Sequence, residues 1–521
     1  MNTEFRKIII WLMPVVLIVS FALFIHGRVV NFTDVDSFYH IRHAWIYQTT
    51  GIFQTSFPWV QYSVINLYAA DLWYGFHILI LPLTFFTDLA QGVKVGALLT
   101  TMAASGLFFL ALLKLKIRWP MLWLTIFLLA SADLLYRLTM LRPHPFSLGL
   151  SALLFAYLVT KETSRSKFII FLLAAAVSWI HLSLSWMAIL IIAIISTAEF
   201  MHQQDVAVRK YIAAGLGLLT GLLLHPNPLG AARLAYIQVV KLLFEKQSEL
   251  PIRFGRELMP FVWENFVDQL IPITTLVLMG AGFILWLVWQ KRWKSMSPEL
   301  KSPVISSLAL AGVFFLLTFG VARRSNEIFV AFAIIFVGLV FTHIKSLIIK
   351  LDWYHYVLMI IAFIVLAYMP FKTMYRFDSY QATTFSINRY KEVGQWLNQN
   401  TQPEEIVFNI HWDRFAQLFY WNQHNYFING MDPIFEYAYN PALYWKTHFL
   451  AIDAGTTHTC GHLRCTAEEV EPTPRVLKKD FNASYILVEK TRNPKVFDYL
   501  SGASEFKMAF ETDFDAVFKV L

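Results

Sequence analysis

The sequence predicts a polytopic α-helical membrane protein, with about eleven transmembrane helices and a C-terminal mixed α/β domain on the exported side. Three observations predict it. Of 521 residues, 57% are hydrophobic and 15% charged, with a mean hydropathy of +0.51, whereas soluble domains carry about 25% charged residues. Apolar runs fit to cross a bilayer recur through the first 370 residues. Beyond Met369 charges are spread through the chain, and turn residues separate short apolar stretches. The 46 Phe, 22 Tyr and 17 Trp suit lipid-facing surfaces and interfacial aromatic belts. A formal charge of +8 does not indicate nucleic acid, because the lysines and arginines mostly lie in short turns between apolar runs, where they set topology.

The first run, 8–26, follows Arg6 and Lys7 as a signal peptide would. It exceeds the roughly 7–15 residues of a signal h-region and no small-residue cleavage site follows, so a retained membrane helix is expected. Further runs lie at 93–113, 119–138, 146–160, 168–183, 184–199, 211–225, 270–289, 304–322, 328–343 and 354–370. Several fall short of the ~20 residues of a lone span, which bundled helices tolerate. With a cytoplasmic N-terminus, every second turn is basic: Lys114, Lys116 and Arg118; Lys161, Arg165 and Lys167; Arg209 and Lys210; Lys291, Arg292 and Lys294; Lys345 and Lys350. That is the positive-inside pattern. The chain then divides into a membrane domain over 1–370, with a first exported loop at 27–92, and an exported α/β domain over 371–521. Its expected place is the cytoplasmic membrane, or the ER membrane in a eukaryote.

In the first loop, TDVDSFYHIRHAWIY begins with Asp34 and Asp36. Asp36 or Ser37 is the expected N-cap of a helix running to about Gln48, with Phe38, Ile41 and Trp45 on one face lying along the membrane interface. Asp133, inside the third run, is expected to pair with Arg137 at i+4. Asp71, His77, His225 and Glu257, in exported loops, are candidates to line a cavity, although each alone reads more often as a structural loop residue, and the sequons at Asn31 and Asn482 are patterns short enough to arise by chance. In the tail, Ile387, Tyr390, Val393 and Leu397 have near-helical spacing, while EIVFNI, SYILVE and AVFKVL read as strands. HTCGHLRC offers either a zinc site, from Cys460, Cys465, His458 and His462, or a short-loop disulfide, which an exported location favours.

The order D-S-F-Y-H-I-R from Asp36 to Arg42 resembles the first exported loop of the oligosaccharyltransferase catalytic subunit, a member of the GT-C class of membrane glycosyltransferases. There an acidic residue precedes an aspartate that two aromatics follow, with an arginine six residues on. Two more segments are similar. GVARRSNEIF, at the end of the ninth run, resembles a G-V-x-x-R segment whose arginine holds the phosphate of a lipid-linked donor, which maps onto Arg324 with Arg323 beside it. A guanidinium suits that task, since it offers a fixed fork of donors and keeps its charge. IVFNIHWDRF resembles the strand and WWDYG segment that reads the acceptor hydroxyl residue, which maps onto Trp412 and Asp413; here His411 replaces the first tryptophan and Arg414-Phe415 the Tyr-Gly.

The resemblance implies a GT-C-like fold and transfer of a sugar or oligosaccharide from a polyprenyl-phosphate or -diphosphate donor to a protein or glycan acceptor. It also implies Asp36, or Asp34, as the catalytic carboxylate, and inversion at the anomeric centre. In the family a D-x-E pair in the second exported turn completes a divalent-cation site, Mg or Mn, with the first-loop aspartate, here Asp36. This chain reads LRPHPF there, placing Arg142 and His144 where carboxylates are expected. A metal-free enzyme with a carboxylate base, Arg142 on the donor phosphate and His144 in the cavity is the other expectation. A transporter or flippase of lipid-linked saccharides would need a similar arginine-lined cavity, but would be expected to show two related halves, and no repeat is visible.

Overall fold

In a bilayer every backbone polar group must be satisfied within its own segment, so the apolar runs fold as helices. The structure is a computed structural model describing residues 3–201, 207–247, 250–295, 298–347, 353–381 and 384–521. Among the described residues, six helices are long and apolar enough to cross a membrane: Leu89–Lys114, Leu182–Met201, Ile271–Trp289, Leu300–Gly320, Ser325–Thr342 and Ile360–Gln381. Leu12–His26, Tyr74–Phe85 and Pro143–Val159 are apolar but shorter.

Two expected spans are broken. The run 119–138 divides at Ala130 and Ser131 into Pro120–Leu129 and Ala132–Leu138, which diverge by 93° because Ser131 takes an extended conformation. The run 211–225 bends by 108° into Pro228–Lys246, where Asn227 caps the new helix by accepting from the Gly230 N–H at 3.0 Å and Pro228 stands at its first turn. Counting each bent pair once gives up to eight spans. The last long helix, Trp353–Gln381, runs through position 370, so the division placed there falls inside a continuous helix. Gly217 and Gly221 let Val208–Leu223 pack closely on Ser164–Ile180, since a Cβ at either would meet a backbone oxygen at 2.3 Å.

The first-loop helix spans Asp36–Thr50 and ends at Gly51, whose φ of 100° suits glycine. Neither Asp36 nor Ser37 caps it. The N-cap position is Val35, which offers no side-chain hydrogen bond, and Asp34 just before it accepts from the Asp36 N–H at 3.1 Å and from the Ser37 hydroxyl. Nor does it lie along an interface: Phe38 and Ile41 are fully buried, and Phe38 packs edge-on to Tyr420 of the C-terminal domain at 5.3 Å.

The C-terminal domain begins with the expected helix, Lys391–Asn400. Its strands are β1 (Ile406–Asn409), β2 (Tyr426–Phe427), β3 (His458–Cys460), β4 (Val470–Pro472), β5 (Ala483–Glu489), β6 (Phe506–Glu511) and β7 (Asp515–Val520). The described residues form one five-stranded sheet, ordered β2-β1-β5-β7-β6, parallel from β2 to β5 and antiparallel beyond, and a β3-β4 hairpin. A disulfide joins Cys460 to Cys465 beside that hairpin, which removes both thiolates a zinc site would need. The first loop is tied to this domain by backbone. Phe427 N–H donates to Trp59 O at 2.9 Å and Gln61 N–H to Phe427 O at 2.8 Å, covering the β2 edge, and Phe32 pairs with Phe385.

Candidate active site

Chain breaks and turns, rather than helix middles, build the site. The entry to the Asp36–Thr50 helix, the bent segment Ala132–Leu138, the start of Pro143–Val159, the 255–258 turn, the Arg323–Arg324 turn and the turn Trp412–Arg414 converge on one cavity of about 400 Å³. Asp34, Asp36, Arg142, Arg323, Arg324, Trp412 and Asp413 all line it. His144 lines a second chamber of about 80 Å³ instead; Asp36, Arg142, Glu257, Arg324 and Asp432 border both.

Arg142 is the hub of the acidic corner. Its guanidinium donates to Asp34 through Nε, reaches Asp36 Oδ2 through Nη2 at 2.7 Å, and lies 3.4 Å from Glu257 through Nη1. Arg137 continues the network, from Glu257 at 2.7 Å to Glu327 at 3.0 Å, and His144 Nε2 lies 2.5 Å from Glu327 Oε2. Burial pushes Asp36 up to about 6 despite Arg142, because Asp34 and Glu257 add repulsion. Burial likewise pushes Asp432 up to about 7. Burial also pushes Glu257 up, but Arg137, Arg142 and Arg324 outweigh it and hold that carboxyl below the usual range. Asp36 and Asp432 are therefore the two acidic groups of this cavity raised towards neutrality.

The adjacent arginines differ. Arg323 is locked bidentately by Asp133 at 2.7 and 2.6 Å, and Tyr380 and Asn326 join the same carboxylate. This corrects one expectation: Asp133 pairs with Arg323 rather than Arg137, because the bend at Ser131 swings it towards the Arg323 turn. Arg323 lines the cavity with its charge already paired. Arg324 has no side-chain hydrogen bond or ion pair among the described residues, and only its backbone N–H is engaged, by Glu257 O at 3.1 Å. Burial pulls its guanidinium below the usual arginine value. Asp133→Ala would strand the Arg323 charge, so we expect a loss of about 3–5 kcal/mol, read as a lower unfolding temperature in detergent.

A divalent cation does not fit here. Such an ion needs several oxygen ligands turned to a common point, and the Arg142 guanidinium already occupies the point towards which Asp34, Asp36 and Glu257 turn. His43, Asp71 and His77, in the first-loop region, also gather ligand atoms within 4.8 Å. There His77 Nδ1 lies 2.5 Å from Asp71 Oδ2, whereas two ligands of one tetrahedral zinc stand about 3.3 Å apart. That contact is a hydrogen bond.

Trp412 and Asp413 follow β1 on a short 3-10 turn; Asp413 pairs with Arg492 at 3.0 Å, and Arg414 with Glu489 at 3.0 Å. Together with Gly255 and Arg256 they separate the main cavity from a third of about 590 Å³, where Glu436 hydrogen-bonds Asn429 and Thr447. Glu257, a candidate cavity residue in the sequence, lines both chambers, whereas Asp432 and Glu327 carry no sequence signal that singles them out. A glutamate inside RFGRELMP, in an otherwise apolar approach to a span, was the available signal for the first.

No family model and no curated protein matches the chain. Solved structures do. The oligosaccharyltransferase of Archaeoglobus fulgidus, tethered to an acceptor peptide containing an NVT sequon, aligns with a TM-score of 0.59 at 12% identity over 96% of this chain and 71% of its own. ArnT from Cupriavidus metallidurans bound to undecaprenyl phosphate aligns at 0.51, 10% identity and 98% of both chains. The arabinofuranosyltransferase AftD from Mycobacteria gives 0.55 at 11%, covering 97% of this chain and 41% of its own. The chain thus has the GT-C fold over nearly its whole length.

Proposed function

We propose that this protein is a membrane glycosyltransferase that moves a sugar or oligosaccharide from a polyprenyl-phosphate or -diphosphate donor to an acceptor at the exported face. The observation that carries this is the pairing, in one cavity, of a partnerless, half-buried guanidinium, Arg324, with a carboxylate poised near neutrality, Asp36. Arg324 holds the donor phosphate and stabilises the charge that grows on it as the glycosidic bond breaks. Asp36 removes the proton of the acceptor hydroxyl or amide. Asp34 holds the Asp36 N–H at the start of the helix and, with Arg142, orients the base. The third cavity, beyond Trp412 and Asp413, is the approach for the acceptor, and the basic turns 114–118, 161–167 and 291–294 face the cytoplasm. The acceptor peptide of one structural neighbour and the undecaprenyl phosphate of another support the two substrate classes.

The test is mass spectrometry of polyprenyl-linked saccharides in source cells lacking this protein, complemented with wild type or Asp36→Asn. A lipid-linked sugar that accumulates and that only wild type clears identifies the donor. No accumulation, or equal clearance by both, overturns the reading in favour of transport. Since Arg142 supplies the positive charge in the acidic corner, turnover of purified enzyme is expected to change by less than about twofold in EDTA, where a metal-assisted reaction would collapse.

A further inference from the structure

Behind the second chamber lies a buried polar chain that the proposed transfer does not use. Asp71 is buried, and its Oδ2 accepts from His77 Nδ1 at 2.5 Å and from the Tyr47 hydroxyl at 2.9 Å, while Oδ1 accepts from the Trp73 N–H at 2.9 Å. His77 Nε2 lies 2.9 Å from His40 Nδ1. The order of these contacts favours one pair of tautomers. A carboxylate only accepts, so His77 carries a proton on Nδ1; in the arrangement that leaves both rings uncharged, its Nε2 accepts and His40 donates from Nδ1. That leaves His40 Nε2 as a bare lone pair with no partner among the described residues, on a histidine that lines the same chamber as Asp36. His40 stands one helical turn beyond Asp36 on the Asp36–Thr50 helix.

We propose that His40 is the proton exit of the site, with Asp71 and His77 as the residues that orient it and stabilise its charged form. The inference rests on the assignment of Asp36 as the base. Asp36 takes the acceptor's proton as the new glycosidic bond forms and the sugar–phosphate bond breaks. The proton then passes from Asp36 to His40 Nε2 across the chamber, which restores the carboxylate, and it leaves the imidazolium to water. Asp71 faces the chain from behind and favours the cation; His77, His43 and Arg142 face His40 and oppose it, and burial holds the ring neutral at rest.

The test uses the full chain in detergent, with the polyprenyl-linked saccharide pool extracted from cells lacking this protein as donor. His40→Ala is expected to lower kcat by at least about tenfold, with KM for the donor within about twofold, and added imidazole should restore turnover several-fold. His40→Gln, which keeps bulk and a donor to His77 but cannot carry the proton, should show the same loss without rescue and serves if the alanine variant does not fold. Wild-type kcat in either variant, or a His40→Ala loss that imidazole leaves unchanged, overturns the proposal. A second readout is independent of turnover. The nitrogen spectrum of histidine-labelled protein at neutral pH should show His77 protonated on Nδ1 and His40 bare on Nε2, with the His77 signal moved by Asp71→Asn. The opposite tautomers overturn the relay even where wild type transfers sugar, whereas absence of transfer by wild type, with the tautomers as stated, counts against the glycosyltransferase reading alone.

Discussion

Asp36→Asn should leave a folded, membrane-inserted protein whose transfer rate falls by about 10²–10⁴-fold, the range that a positioned general base contributes. The amide fits the same volume and can still meet the Arg142 side, but it cannot take a proton. Because Asp34 and Glu257 also engage Arg142, the local fold does not depend on Asp36 alone. Loss should therefore appear in kcat, with donor KM changed little, since the proposed reaction puts the phosphate on Arg324 and not on Asp36. The rate should also depend on pH in a defined direction. With the Asp36 carboxyl raised to about 6, its basic form is depleted as pH falls through that value, so kcat should fall tenfold per unit on the acid side and level off above. Asp36→Asn should flatten that limb. Wild-type turnover in the variant, or an acid limb that survives it, would return Asp36 to a residue that only anchors Arg142.

Much of this arrangement was legible in residue types and their order. Two carboxylates ahead of an aromatic run, a double arginine at the end of an apolar run and a Trp-Asp after a strand were each visible as chemistry, and all three line one cavity. The pairing inside the cavity was not. Asp133 and Arg137 are four residues apart, and helical periodicity favours their contact. The bend at Ser131 leaves a helix of two turns whose charged groups face different neighbours, Arg323 for one, Glu257 and Glu327 for the other. Hydropathy could not reveal that bend, because an apolar residue scores alike on either side of a break. The same limit hid Asp71 and His77. Each is unremarkable in its own loop, and only folding brings His40 of one segment against His77 of another. The first-loop helix illustrates a third cause: Phe38 and Ile41 read as an interfacial face, but Tyr420 of the C-terminal domain packs on Phe38, and Ile41 turns towards Gly92 of the Leu89–Lys114 helix.

Arg324→Ala is expected to cost about 10²–10³-fold in kcat/KM, comparable to removing one preorganised donor from a site of developing negative charge, with the loss shared between weaker donor binding and slower bond breaking. The neighbouring arginines cannot compensate. Arg323 is held by both oxygens of Asp133, and Arg142 and Arg137 are engaged by Asp34, Asp36, Glu257 and Glu327. Drawing any of them to the phosphate would uncover a buried carboxylate, at the cost of an unpaired charge. Arg324→Lys keeps a positive charge but replaces the planar fork with a point charge, so it should recover binding more than rate. Arg323→Ala separates the two roles: it should lower the unfolding temperature by stranding Asp133, while donor KM in the surviving fold changes far less than in Arg324→Ala. The measurements are kcat and KM against purified lipid-linked donor, with unfolding temperature recorded for each variant. Should Arg323→Ala raise donor KM as strongly as Arg324→Ala, the phosphate would belong to the pair and the Asp133 lock would have to open on binding. Should Arg324→Ala leave both constants unchanged, the partnerless guanidinium would have some other anion as its counterpart.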